Sequence, residues 1–235
     1  MTDIVERWKN RYTVRSFYED QIPDIEKINQ LNEIIKYIPS QQGVVDHQWV
    51  LLTPQDKDFK EWLVDEVYNR WSDDDQHLEY FSMIAEAPYV YHSFSIKITP
   101  PFFIFKDSLR TDASEFDRSA GFHAGAILST ALELGLDTAL ICCTASLNRK
   151  DKDKNKIIKE YRERIWNRFG EELSTINIQH NNVTIYFKKE NIFDPSITIS
   201  VGTGKPLTKD RLTPYKNGIA YTGGKSKKWF NNFVK

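Results

Sequence analysis

The chain has 235 residues, 40% of them hydrophobic and 13% aromatic, with a formal net charge of −1. That is enough apolar material for one domain with a sizeable core. The near-neutral balance argues against bulk attraction to nucleic acid or to an anionic membrane and leaves only local basic patches.

The two cysteines are adjacent, Cys142 and Cys143. Neighbours on a strand point to opposite faces, so both read as free thiols of a reducing compartment. There is no CxxC or HExxH, and the five histidines are scattered; no metal site is expected. The opening MTDIVERWKNR has no apolar core, and no apolar run reaches ~18 residues, so neither a signal peptide nor a membrane span is expected and the chain reads as cytoplasmic.

Residues 3–10 read as a short helix with Ile4, Val5 and Trp8 on one side. Arg11 to Phe17 leans towards a strand, with Arg11 and Arg15 flanking Thr13. Pro23-Asp24 opens a second helix, with Ile25, Ile28, Leu31, Ile34, Ile35 and Ile38 at helical spacing, and Pro39 ends it. After the loop Ser40-Gln41-Gln42-Gly43 comes a strand, Trp49–Thr53. A third helix follows Pro54, with Phe59, Leu63, Val67 and Trp71 four apart on a core face. A short helix is expected over roughly 76–86. Tyr89–Ile98 reads as a strand in which His92 is a packed or surface histidine. The aromatic Pro100–Phe105 could be a loop plug or a lid.

Asp117–Ala145 is rich in small residues. Gly121, Gly125 and Ser129 recur every four positions and so share one helix face. Each glycine costs a helix ~1 kcal/mol relative to alanine, which implies that something approaches this backbone closely: another helix, a partner subunit or a flat ligand. Ser114, with Asp117 three residues on, gives an approximate cap, and Gly135 ends the helix. Thr138–Cys143 reads as a buried strand. Residues 148–169 form an amphipathic helix with Ile157, Ile158, Tyr161, Ile165 and Phe169 inward, ended by Gly170. A hairpin is expected around Asn181-Asn182 and a strand over Ile197–Val201. Gly202-Thr203-Gly204 then demands a sharp turn. The tail, 207–235, is basic and aromatic.

These pieces gain meaning in order: Arg11-x-Thr13-x-Arg15; Pro39-Ser40-Gln41-Gln42-Gly43; the small-residue helix ending Leu134-Gly135-Leu136; Val201-Gly202-x-Gly204-Lys205-Pro206; and Lys209-x-Arg211. The order resembles the FMN-dependent nitroreductase family over roughly residues 7–52, 117–145 and 197–212. The resemblance implies an α+β, nitroreductase-like fold: a mostly antiparallel central sheet flanked by helices, in an obligate homodimer with an exchanged C-terminal segment. It implies one domain over 1–235, with 148–190 a variable insertion and 207–235 a C-terminal extension.

It further implies FMN as cofactor. Arg11, Thr13 and Arg15, with Tyr12 between them, would hold its phosphate, ribityl chain and pyrimidine edge. Lys209 and Arg211 would complete a phosphate clamp. Ser40 and Gln42 would line the flavin from the other subunit, and Cys142 and Cys143 would lie near its ring. Gly43 stands where the family carries asparagine, and Thr13 keeps the hydroxyl of the family's serine. Arginine forks suit a dianionic phosphate, and a cation near a reduced flavin raises its potential. The implied activity is electron transfer from NAD(P)H, through FMN, to a nitroaromatic, quinone or similar small acceptor. No nucleic acid or membrane is involved, and no catalytic side chain is assigned. The alternatives are a non-catalytic flavin- or partner-binding protein on the same fold, and an interaction protein with no cofactor.

Overall fold

The computed structural model describes residues 6–8, 13–38, 47–68, 78–96, 113–142, 154–180 and 183–206. The remaining residues carry several sequence expectations that therefore lie outside the description: the turn at Asn181-Asn182, Pro100–Phe105, Trp71 and the tail.

Helix α1, Ile25–Tyr37, begins where Asp24 caps the Glu26 amide and ends at Ile38, whose extended backbone precedes Pro39. Strand β1 is His47–Leu52. A 3-10 turn at Pro54–Asp56 leads into α2, Lys57–Trp62, which loosens into a π-helical stretch over Leu63–Tyr68. Helix α3, Leu78–Glu86, precedes β2, Tyr89–Ile96. Helix α4, Ala113–Glu133, precedes β3, Asp137–Cys142. Helix α5, Lys154–Ser174, is followed by the hairpin β4, Asn177–His180, and β5, Val183–Tyr186, and then by β6, Ile192–Gly202.

The four long strands form one sheet in the order β1-β2-β6-β3, with every neighbouring pair antiparallel. Strand β2 is inner, so its two faces feed two cores. Tyr89 and Tyr91 meet α1 and α4 through Ile28, Leu31, Ala124 and Ile127. Val90 and Phe94 meet α2, α3 and α5 through Leu63, Ile84, Tyr161 and Ile165. This is the α+β, antiparallel, helix-flanked architecture expected from the sequence. Among the described residues, no helix is long and apolar enough to cross a membrane.

Four local expectations are corrected. Of the stretch 11–17, the described part is not a strand: it makes only the single bridge Phe17–Gly204. Helix α4 is already formed at Ala113, so Ser114 lies inside it. Helix α5 does not stop at Gly170 but runs on to Ser174. Gly170 is buried, and a Cβ there would meet the Trp166 indole at 3.1 Å, so the glycine makes room for a ring. Strand β6 starts at Ile192, five residues earlier than expected. The register shifts around Phe94, which faces Pro195, a residue with no N–H for the ladder.

By contrast, the end of α4 follows its sequence signal closely. Gly135 takes φ +70°, its amide donates to Leu132 O, and the Leu136 amide donates to Ala131 O at 2.8 Å. This pair of bonds satisfies the last carbonyls of the helix.

Asp56 ties the start of α2 to α5. Its buried carboxylate accepts from the Thr53 amide and hydroxyl and pairs with Arg168. Burial alone would raise its pKa, but the bonds from Arg168 and Thr53 outweigh burial and hold it below the usual carboxylate value. The unfolded chain therefore takes up the proton first, so Asp56 stabilises the fold above the ordinary carboxylate range near 4, and less as pH falls through the lower native value. Asp56→Asn should cost about 1–2 kcal/mol at pH 7, the exposed half of the pair being screened. The gap between the urea midpoints of the two proteins should narrow as pH falls below about 4; a gap that does not narrow at all in acid would show that the charge is not the cause.

Candidate functional site

At one end of the sheet, two segments far apart in sequence lie side by side. Residues 13–18 run along the start of β3 and the exit of β6. The Val14 amide donates to Thr138 O at 3.2 Å, the Lys205 amide to Ser16 O at 2.9 Å, and the Tyr18 amide to Thr203 O at 3.0 Å. The Gly204 amide donates to Asp137 Oδ2 at 2.8 Å. Val14, Ser16 and Phe17 are buried, and Thr13 and Arg15 between them are half-buried. The segments that carry the first and last motifs of the sequence are thereby joined, Ser16 and Phe17 lying against Lys205 and Gly204.

The glycines of the last motif serve close approach, not the sharp turn expected of them. Neither is among the positive-φ glycines. A Cβ on Gly202 would lie 2.7 Å from Pro88 Cδ, and one on Gly204 2.7 Å from Val14 Cγ2. Gly204→Ala should therefore push residues 13–17 off β6 at a cost of about 1–3 kcal/mol. A Gly204→Ala protein with wild-type stability would contradict this packing.

Lys205 is 40% exposed. Its Nζ lies 3.9 Å from Glu86 Oε2 and 5.8 Å from the centre of the Tyr18 ring. Nearby, Lys60 is buried and donates to Ala87 O at 2.7 Å and Pro88 O at 3.3 Å. Burial lowers its pKa to about 8, with the Asp56 charge opposing that shift. The backbone amides of the junction are thus spent within the protein, and what it carries for an anionic ligand are the partly exposed Lys205, the half-buried Arg15 and the Thr13 hydroxyl.

Of the residues expected to bind cofactor, Thr13 and Arg15 are at this junction. Cys142 is not: it closes β3 opposite Ile197, whereas Asp137 faces Gly202. That separates it from the junction by five residues, roughly 17 Å along the strand. Arg11, Tyr12, Ser40, Gln42, Cys143, Lys209 and Arg211 lie outside the described residues. Glu86, Ser16 and Asp137 were missed by sequence reasoning. Ser16 directly follows the first motif and Asp137 lies two residues after the helix-ending glycine, but nothing in the sequence marks Glu86.

A second feature is an open apolar groove of about 780 Å³ between α1 and α4. It is lined by Trp8, Ile34, Tyr37 and Phe122 and floored by Gly121, Gly125 and Ser129. Tyr37 is 76% and Phe122 70% exposed. A Cβ on Gly121 or Gly125 would meet nothing within 4 Å. Among the described residues, then, nothing closely approaches Gly121 or Gly125 on the small-residue face. Beneath it, His47 Nε2 of β1 and His123 Nδ1 of α4 are hydrogen-bonded at 3.0 Å. Among the described residues, no group of three metal-ligating side chains accompanies them.

No family model matches this chain, and no curated protein matches it. Solved structures do. An FMN-dependent nitroreductase from Clostridium difficile R20291 is 16% identical, with a TM-score of 0.54, over 87% of this chain and 90% of that one. A BluB-like flavoprotein from Clostridium difficile 630 is 14% identical, with a TM-score of 0.56, over 92% and 95%. A nitroreductase family protein from Streptococcus pneumoniae TIGR4 is 13% identical, with a TM-score of 0.53, over 88% and 93%. At such identities the likeness speaks for architecture alone, and on that ground the chain has the nitroreductase fold.

Proposed function

We propose that this protein is an FMN-dependent oxidoreductase that takes electrons from NADH or NADPH and passes them to a small aromatic or quinone-like acceptor. The observation that carries the reading is the meeting of the segment that holds Thr13 and Arg15 with Gly204-Lys205 at the end of the sheet, through Ser16 and Phe17. Two motifs that are remote in sequence, each with basic residues, are adjacent there. The fold neighbours include proteins titled as FMN-dependent nitroreductases, which supports the cofactor.

The residues fit an elongated anion. Arg15 and Lys205 supply positive charge, and Thr13 a hydroxyl. Arg11 stands two residues before Thr13, and Lys209 and Arg211 three and five residues after Pro206, so the chain can bring further cations to a phosphate. Ser40 and Gln42 would come from the second subunit, and Cys142-Cys143 would border the far end of the ligand. When bound, FMN would supply the redox chemistry, accepting hydride and returning electrons. The side chains would bind, orient and exclude water, which is why no acid–base pair is needed.

The assembly we infer is a homodimer closed through the α1–α4 groove. Exposed Trp8, Tyr37 and Phe122 around a glycine floor are costly to leave in water, and a glycine face lets a second helix approach closely. The C-terminal extension would cross to the partner. The single domain spans 1–235, with 148–190 a variable insertion, and the protein works in the cytoplasm.

The reading is tested by titrating FMN and following its fluorescence, for the wild type and Arg15→Ala. Saturable quenching that weakens roughly tenfold in the variant is expected, the loss of a charged hydrogen bond. A wild type that neither carries nor binds FMN would end this reading in favour of a protein without cofactor.

A further inference from the structure

One carboxylate joins the two halves of the basic junction. Glu86 is the last residue of α3. Its Oε2 accepts from the Ser16 hydroxyl and from the Phe17 amide at 2.9 Å, and lies 3.9 Å from Lys205 Nζ. Its side chain is only 18% exposed. A single oxygen therefore meets donors from both ends of the chain.

Glu86 is itself rigidly carried. The Ala87 amide closes back on Met83 O at 3.2 Å. Lys60 holds the Ala87 and Pro88 carbonyls from below. Pro88 fills the space that a Cβ on Gly202 would need. The α3–β2 turn is thus fixed to the end of β6, and Glu86 has a defined place from which to hold its neighbours.

The held segment alternates. Val14 and Ser16 are buried, whereas Thr13 and Arg15 are half-buried. A slip of one residue would exchange the buried and half-buried positions and bring Val14 out of the core. The segment is no strand over 13–16, so a sheet ladder does not set this register. The bonds at Ser16 and Phe17 do, together with those to Thr138 and Lys205.

We propose that Glu86 is a positioning residue of the basic site: its carboxylate fixes the register of residues 13–17 and the direction of Lys205, so that Arg15 and Lys205 face one anionic ligand. The inference rests on the reading of this junction as the FMN site. A negative charge beside an anion site lowers affinity through repulsion. The use of Glu86 must therefore be geometric, and its acceptor oxygen matters more than its charge.

The test uses the full-length protein and two readouts. In the FMN-free protein, hydrogen exchange of the peptide spanning 13–18 should be at least about tenfold faster in Glu86→Ala, while β2 and β6 keep wild-type protection. FMN affinity, read by fluorescence quenching, should fall by about tenfold or more in the same variant. Glu86→Gln, which retains an acceptor oxygen, should recover most of both losses. Unchanged exchange at 13–18 in Glu86→Ala would overturn the proposal, and so would a Glu86→Gln protein as impaired as Glu86→Ala. If Glu86→Ala also loses protection in β2 and β6, Ser16→Ala, which removes one donor, carries the same comparison. A wild type that does not bind FMN would overturn the functional reading, and the exchange data would still decide whether Glu86 sets the register.

Discussion

With the proposed homodimer closed through the α1–α4 groove, Gly125→Leu should yield a monomer and abolish FMN binding with it. In the subunit alone, a Cβ at this position meets nothing within 4 Å. Leucine also favours a helix interior over glycine by nearly 1 kcal/mol. The substitution should therefore not harm the fold of the subunit. It places a branched side chain on the floor of the α1–α4 groove, beside Phe122 and Ser129, where a partner helix would have to lie. Overpacking at such a contact costs roughly 1–3 kcal/mol per copy, and a two-fold interface meets the change twice. Light scattering behind size exclusion should report the monomer mass, circular dichroism should retain helix and sheet, and FMN should no longer quench. A monomer with full FMN affinity would separate the groove from the cofactor site.

His92→Ala should be the most destabilising single change in the core. His92 is fully buried on β2, between Thr198 and Tyr161. Its Nδ1 lies 2.8 Å from Thr198 Oγ1 and its Nε2 2.7 Å from the Tyr161 hydroxyl. Thr198 in turn bonds Tyr68 at the end of the π-helical stretch. One imidazole thus links β2, β6, α5 and that stretch. Truncation removes two hydrogen bonds and opens a cavity, for a cost of about 3–5 kcal/mol.

Burial also lowers the His92 pKa to about 3, so the native state keeps the ring neutral. Below about 6.5 the unfolded chain binds a proton that the native state refuses, and stability falls as pH drops from there towards 3. The slope from this one residue approaches roughly 1.4 kcal/mol per pH unit. His92→Phe should remove that slope while losing the bonds. Urea denaturation of the three proteins between pH 7 and pH 4 measures both effects, and equal slopes in wild type and His92→Phe would contradict the assignment.

The parts of the fold that were legible in the sequence are those dictated by local chemistry. Asp24 and Pro39 bound α1, Gly135 ends α4, and the Tyr89–Ile96 alternation is a strand. The inward face of α5, from Ile157 to Phe169, follows its periodicity. What misled were residues whose role is set by a remote neighbour. Gly170 reads as a stop signal, yet it makes room for Trp166. Gly202 and Gly204 read as a turn, yet they admit Pro88 and Val14. The α1 apolar stripe is only partly covered: Ile28 and Leu31 are buried, whereas Ile25 and Ile34 are exposed.

The candidate site divides in the same way. Arg15 and Lys205 stand in recognisable motifs, and the fold brings the segments that carry them together at Ser16 and Lys205. Glu86 precedes an unremarkable Ala-Pro pair and carries no pattern of its own. Its importance comes from three donors delivered by two distant segments, a relation that appears only in space. The same holds for His92, whose partners come from one strand, β6, and one helix, α5.

The claim that this junction serves electron transfer is tested most directly by the absorbance spectrum of the FMN-loaded protein under anaerobic conditions, before and after NADH or NADPH. The expected result is rapid bleaching of the flavin band by at least one nicotinamide, reversed when a quinone or nitroaromatic is added. A bound flavin that neither nicotinamide reduces would contradict the enzymatic reading and leave a flavin-binding protein without turnover.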